Sequence, residues 1–103
     1  MNPIITDKLD DLRALCEKHH VRMLYLVGSA TREDFDPERS DLDFLVEFQP
    51  LPVGQRAGHF FALQADLEQL FGLPIDLGEP EGIRNRIVRE RIEESKVPIY
   101  AAA

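Results

Sequence analysis

The spacing of apolar residues along the chain predicts alternating helices and strands. Three segments carry apolar side chains every three or four residues, which is the period of a helix with one buried face. Val21–Val27 is almost continuously apolar, as expected for a strand covered on both sides. The predicted helices run from Pro3 or Thr6 to about His19, from 54 to 71 and from 81 to 95; the predicted strands cover 21–27, 41–48, 73–78 and, as a short edge strand, 97–100.

This order of elements predicts a single α/β (α+β) domain over residues 1–103. We expect a small mixed sheet of three or four strands with helices packed on it. Strand 41–48 should lie antiparallel to strand 21–27, because a short connection joins them. The second helix should bury one face, which the spacing assigns to Ala57, Phe60, Phe61, Leu63, Leu67, Leu70 and Phe71.

The stretch between the first two strands carries the candidate chemistry. Gly28 and Ser29 follow the first strand directly, and Asp41-Leu42-Asp43 begins the second. Alternate residues of a strand share a face, so Asp41 and Asp43 should point the same way, and their repulsion favours a bound cation. Oxygen-only ligands suit Mg²⁺, and a glycine followed by Ser29 at a helix start suits phosphate. The stretch therefore predicts a site for a metal-bound nucleoside triphosphate.

Charge and composition exclude several classes of function. The net charge is -7, with 19 acidic and 12 basic residues, and a protein that grips a nucleic-acid backbone normally has a basic face. We therefore expect no nucleic-acid partner. No apolar run approaches the roughly 20 residues that span a bilayer, and the acidic start does not resemble a signal peptide, so we expect no membrane association and a cytoplasmic location. The single cysteine, Cys16, is predicted to be a buried thiol.

The glycine–serine pair and the two aspartates resemble the signature of the nucleotidyltransferase superfamily of DNA polymerase β. The chain is most similar to its minimal nucleotidyltransferase (MNT) branch, whose members often accompany a HEPN-domain toxin as antitoxin. The spacer between Ser29 and Asp41 has eleven residues, one more than in the commonest MNT form. Glu33 stands where the family usually has glycine. The matching positions are Gly28, Ser29, Arg32, Pro37, Ser40, Asp41 and Asp43.

This resemblance implies a polymerase β-like nucleotidyltransferase fold and a set of roles. Asp41 and Asp43 would hold two Mg²⁺ ions, with ATP as co-substrate. Gly28 and Ser29 would bind its phosphates, with Arg32 as a charge clamp. Asp76 lies between apolar residues of the third predicted strand, where a carboxylate is out of character for structure alone. The family's third metal-binding carboxylate lies on that strand, and the resemblance gives this role to Asp76.

The resemblance implies transfer of AMP to a hydroxyl, a tyrosine in the HEPN toxin partner, by an antitoxin that can form a hetero-oligomer with the toxin. Two other functions stay open. One is a transferase acting on a small molecule. The other is an antitoxin that neutralises its toxin by binding alone, and Glu33 and the longer spacer are the features that favour it. A metal role for His19 and His20 finds no further converging ligand in the sequence, and His59 is interpreted as a surface or partner-contact residue.

Overall fold

The computed structural model describes residues 3–31, 36 and 41–103. In these ranges the chain forms four α-helices, four β-strands and two short 3₁₀ helices. The helices are α1 (Pro3–Thr6), α2 (Leu9–Lys18), α3 (Arg56–Phe71) and α4 (Arg86–Ser95); the strands are β1 (Val21–Val27), β2 (Leu42–Phe48), β3 (Ile75–Gly78) and β4 (Val97–Ala101); the 3₁₀ helices are Gly28–Thr31 and Pro80–Gly82.

The four strands form one mixed sheet in the order β3-β2-β1-β4. Strand β1 pairs antiparallel with both β2 and β4, whereas β2 and β3 are parallel. Parallel strands require a crossover connection, and α3 supplies it. The mixed α+β fold that the sequence predicts is therefore confirmed, including the antiparallel pairing of the first two strands.

One face of the sheet forms the hydrophobic core with α2 and α3. Cross-strand partners such as Leu24–Val46, Leu26–Phe44 and Phe44–Leu77 lie on this face and are buried. The helices contribute buried side chains from one stripe each, as the 3.6-residue period requires. These helical core residues are Leu12 and Cys16 of α2 and Leu63 and Leu67 of α3.

The other face of the sheet carries the polar residues of the strands. Alternation along β2 places Asp43, Leu45 and Glu47 there, opposite the face of Phe44. Helix α4 and the 3₁₀ helix before it lie on this side, since Ile83 and Ile92 line clefts together with Leu45. No residue of α4 is buried, so this face is only partly covered.

Three predictions about the helices are wrong. The last helix begins at Arg86 instead of residue 81, because Pro80–Gly82 forms a separate 3₁₀ helix. The first helix is interrupted at Asp7 and Lys8, giving α1 and α2 instead of one continuous segment. Thr and Asp side chains compete with the backbone for hydrogen bonds and are weak helix formers, and the Thr6 hydroxyl donates to the carbonyl of Pro3. In α3, Ala57 and Phe61 are exposed, with Phe61 at 66%. Successive helical residues point about 100° apart, so the sheet cannot cover Phe60 and Phe61 equally.

Several boundaries agree closely with the sequence patterns. Strand β1 has the predicted limits, and α3 ends at Gly72, whose φ of 66° is the left-handed conformation typical of a helix end. Cys16 is buried, and burial raises the pKa of its thiol to about 12. Within the described residues no helix is long and apolar enough to cross a membrane.

Candidate active site

Pairing of the strands brings Asp43 to the centre of the candidate site. In the antiparallel register Asp43 lies opposite Val27, the last residue of β1, and in the parallel register it lies opposite Asp76. The end of β1 therefore meets the start of β2, as predicted, and two of the three candidate carboxylates occupy neighbouring strands. Asp41 comes immediately before β2 and is exposed, as is Asp76.

Gly28 approaches the carboxylate of Asp43 more closely than any other residue type could. Its φ is +72°, a conformation that residues with a side chain rarely adopt. A Cβ atom at this position would overlap Oδ2 of Asp43 and lie 3.2 Å from its Cγ. The backbone after β1 and the side chain of Asp43 thus share one small space. A glycine is required here both for conformation and for room.

The three carboxylates interact electrostatically. Burial raises the pKa of the Asp43 carboxyl, and the negative charges of Asp76 and then Asp41 raise it further. Like charges that are held together favour a bound cation, because the cation removes their mutual repulsion. This electrostatic strain is the chemical property expected of an Mg²⁺ site built from oxygen ligands.

The side chains as they stand do not enclose an ion. Among residues 3–31, 36 and 41–103, no three His, Cys, Asp or Glu side chains surround a common point closely enough to hold a metal. This arrangement fits Mg²⁺, which keeps several water ligands and is commonly held by one or two carboxylates together with the phosphates of a substrate. The residues present therefore fit a metal that arrives with a nucleotide.

The structure describes the remaining predicted site residues only in part. The backbone of Ser29 lies in the 3₁₀ helix Gly28–Thr31, directly after β1, where the sequence predicts the start of a helix. The Thr31 hydroxyl donates to the carbonyl of Gly28 at 2.7 Å and so holds this turn closed. Arg32 lies outside the described residues, as do Glu33, Pro37 and Ser40.

A cleft of about 300 Å³ opens beside the carboxylates. Gly28, Asp43 and Asp76 line it, and aliphatic side chains form another part of its wall. Sequence analysis did not include this wall in the site. Its signal was present, because Leu45 shares a strand face with Asp43, and Ile83 and Ile92 belong to the apolar spacing near the end of the chain. The wall consists of Leu45, Ile83 and Ile92.

A larger cleft, of about 820 Å³, lies at the other end of β2 and contains none of the candidate carboxylates. Its charged residues include Arg22, Glu47, Arg56 and Glu79, which form the ion pairs Arg22–Glu47 and Arg56–Glu79. Paired charges create no comparable demand for a bound ion. Size therefore does not make the larger cleft the candidate site, whereas the electrostatics of Asp43 favour the smaller cleft as the candidate.

A family comparison agrees with this geometry. The model of the nucleotidyltransferase domain family matches residues 12–99, which include β1, β2 and β3 and all three candidate carboxylates. The chain belongs to this family. It is a nucleotidyltransferase, and the resemblance that the glycine–serine and aspartate pattern suggested is confirmed.

Relatives and solved structures extend the comparison. The chain is 34% identical over 85 residues to a protein of Methanocaldococcus jannaschii named "Putative protein adenylyltransferase", covering 82% of this chain and 83% of that one. It is similar to the solved structure of a "putative minimal nucleotidyltransferase", with a TM-score of 0.74, 26% identity and 91% coverage of both chains. These similarities confirm the minimal nucleotidyltransferase fold.

A third similarity concerns the fold alone. A solved complex from Shewanella oneidensis, a tri-AMPylated HEPN toxin with its MNT antitoxin, matches with a TM-score of 0.63 at 12% identity. The match covers 94% of this chain and 72% of that one. The same arrangement of sheet and helices therefore occurs in a protein of very different sequence.

Proposed function

We propose that this protein transfers AMP from ATP to a hydroxyl group of a partner protein and acts as an antitoxin toward a HEPN-domain toxin. The observation that carries the proposal is that Gly28, Asp43 and Asp76 meet where β1 ends and β2 and β3 begin. Asp41 is close enough to raise the pKa of Asp43. A backbone turn for phosphate beside a cluster of carboxylates is the arrangement that nucleotidyl transfer requires.

The reaction assigns a separate task to each part of the site. The acceptor oxygen attacks the α-phosphorus of ATP, the bond to the β-phosphate breaks, and pyrophosphate leaves. Gly28 and Ser29 bind the β- and γ-phosphates through the turn after β1, assisted by Arg32. Asp76 accepts the proton that the acceptor hydroxyl loses.

The carboxylates also define the cofactor. Asp41, Asp43 and Asp76 would hold Mg²⁺, two ions in our proposal, which supply charge neutralisation of the triphosphate and of the attacking oxygen. The protein's own contribution is to keep Asp43 of β2, Asp76 of β3 and Asp41 just before β2 close together despite their repulsion.

The nature of the acceptor is supported by the comparisons and by the cleft. The archaeal relative is named as a protein adenylyltransferase, and one structurally similar complex contains a HEPN toxin that carries AMP groups. The aliphatic side chains of Leu45, Ile83 and Ile92 can pack against an apolar part of the acceptor, such as the ring of a tyrosine. We therefore favour a protein acceptor, with tyrosine as the modified residue.

Intact-mass spectrometry of the partner tests this function. The protein is incubated with the product of the neighbouring gene, which our proposal expects to be a HEPN toxin, together with ATP and Mg²⁺. The mass of that partner should increase by one or more AMP groups. Asp41→Asn should abolish the increase, whereas Asp10→Asn, an exposed residue of α2 outside the site, should retain it. An unchanged mass would refute the proposal. Toxicity that Asp41→Asn still suppresses would identify inhibition by binding as the mechanism.

A further inference from the structure

All three histidines of the chain meet at the end of β1 that lies away from the carboxylates. His19 and His20 come directly before β1, and His59 lies near the start of α3. The Nδ1 atoms of His19 and His59 are 3.1 Å apart, and the ring centroids of His20 and His59 are 5.3 Å apart. The seven residues of β1 separate this histidine cluster from Gly28, a distance of about 26 Å for an extended strand.

Asp66 determines which nitrogen of His19 is available. Nε2 of His19 lies 2.7 Å from Oδ2 of Asp66, and since a carboxylate only accepts, Nε2 carries the hydrogen. The neutral ring then has a lone pair on Nδ1, directed at Nδ1 of His59. A carboxylate that orients a histidine in this way is the usual support of a metal-binding imidazole.

The distance between the two Nδ1 atoms suits a shared metal ion. Zinc–nitrogen bonds of about 2.0–2.1 Å at a tetrahedral angle place two ligand nitrogens about 3.3 Å apart. The same distance also suits one hydrogen bond from His59 to His19, which would join α2 to α3 without a metal. That simpler interpretation accounts for His19 and His59 but gives no role to His20.

The backbone of His20 adds a second observation. It is the only residue other than glycine with a positive φ, 57°, in the described part of the chain. Helix α3 ends at the corresponding conformation with Gly72, whose φ is 66° and which avoids the steric cost of a Cβ atom. At the end of α2 the chain accepts that cost and places an exposed imidazole beside His59.

We propose that His19, His20 and His59 form a binding site for a divalent ion of the zinc class, separate from the nucleotide site. Imidazole nitrogens suit Zn²⁺, Ni²⁺ and Cu²⁺ rather than Mg²⁺. When the ion binds, the hydrogen between the two Nδ1 atoms moves to Nε2 of His59, so that both Nδ1 lone pairs face the ion. His20 completes the protein ligands by rotating its exposed side chain, since no three such ligands yet surround one point among the described residues.

Zinc titration of protein without a polyhistidine tag tests the site. Calorimetry in excess Mg²⁺, which keeps zinc from the carboxylates, should give one Zn²⁺ per chain. His59→Gln, which preserves a hydrogen-bonding side chain, should weaken the affinity about tenfold or more. Asp43→Asn should bind zinc as the wild type does. Equal zinc affinity in wild type and His59→Gln, or loss only in Asp43→Asn, would overturn the proposal.

His20→Gly provides a second variant that should fold well. Glycine adopts the left-handed conformation freely, so the variant should match or exceed the wild type in thermal stability without metal. It should bind zinc less tightly and gain less stability from it. In the wild type, one equivalent of Zn²⁺ should also shift the Nδ1 signals of His19 and His59 in ¹⁵N NMR. Unchanged signals would refute the site independently of any variant.

Discussion

Asp43 and Asp66 are both partly exposed aspartates, yet their pKa values shift in opposite directions. Burial, with repulsion from Asp76 and Asp41, raises the pKa of Asp43. Hydrogen bonds from His19 and Lys18 lower the pKa of Asp66. The two groups lie in different parts of the fold, Asp43 on the sheet near the end of β1 and Asp66 on α3 beside the start of β1.

The difference separates a carboxylate that is satisfied by the fold from one that is not. Lys18 and His19 lie 3.0 and 2.7 Å from Oδ2 of Asp66, so its charge contributes to stability within the chain. The charge of Asp43 is made unfavourable by the groups named above, and a folded protein retains such a cost mainly where function requires it. Mutation of Asp66 should therefore change the stability of the fold, and mutation of Asp43 should change the activity.

The largest effect is expected on transfer when Asp43 is changed. Asp43→Asn should lower the rate of AMP transfer about 100-fold or more, since an amide cannot replace the charge that stabilises the metal-bound transition state by several kcal/mol. Glu47→Gln is the matched control, because Glu47 lies on the same face of the same strand and loses the same charge. A comparable loss of transfer in both variants would contradict the assignment.

Asp76 should separate turnover from nucleotide binding. If Asp76 assists the acceptor oxygen, Asp76→Asn should lower kcat about 100-fold while the Kd for Mg·ATP changes little. Single-turnover kinetics and calorimetry measure the two quantities separately. Equal losses would instead place Asp76 among the nucleotide-binding groups.

Gly28→Ala should test the close approach to Asp43. The change introduces left-handed strain of about 1–2 kcal/mol, and its Cβ would also displace the Asp43 side chain. Gly72→Ala is the control, because Gly72 has nearly the same φ but nothing within 4 Å of an added Cβ. Denaturant unfolding should show a larger loss for Gly28→Ala, and only this variant should lose transfer. Identical behaviour would mean that the contact with Asp43 is unimportant.

Asp66→Asn should cost stability and leave transfer unchanged. The loss should be about 1 kcal/mol at neutral pH, since the variant weakens two charge-assisted hydrogen bonds. The lowered pKa of Asp66 stabilises the folded state above its ordinary value near 4, and this contribution disappears as the pH falls through the lowered pKa. Chemical unfolding from pH 7 to pH 2 should thus reveal a shrinking difference. Lost transfer at full stability would contradict the comparison.

The smallest effect is an increase in stability for Asp43→Asn in EDTA, of about 0.5 kcal/mol at pH 7. The raised pKa of Asp43 means that its charge destabilises the fold at high pH, and protonation relieves this cost as the pH falls through that pKa. The gain should therefore shrink on acidification. Mg²⁺ with ATP should stabilise the wild type and have little effect on the variant. Glu94→Gln, an exposed change of equal charge on α4, should show neither response.

The sequence patterns predicted those helices and strands whose limits are determined by residues nearby in the chain. The uninterrupted apolar run of β1 specified a buried strand with its limits, and Gly72 specified the end of α3 because few residues tolerate its conformation. The meeting of Gly28 with Asp43 followed from a short connection between antiparallel strands.

Contacts between distant segments were not predictable in this way. Spacing within α3 could not reveal which of Phe60 and Phe61 faces the sheet, because that depends on how the helix is rotated against it. His59 carried no local signal of its contact with His19, which arises only when α3 packs beside α2. The aliphatic wall of the cleft likewise depends on where α4 folds back onto the second face of the sheet.

The parallel pairing of β2 with β3 has a consequence for the order of folding. Gly28 reaches Asp43 across a short connection, so loop closure costs little entropy and this contact can form early. Asp76 can join them only after α3 has formed and returned the chain to the edge of the sheet. During synthesis the emerging chain can therefore bring Gly28 and Asp43 together first. The last of the three candidate carboxylates arrives with β3, so the proposed site is complete only after the crossover has formed.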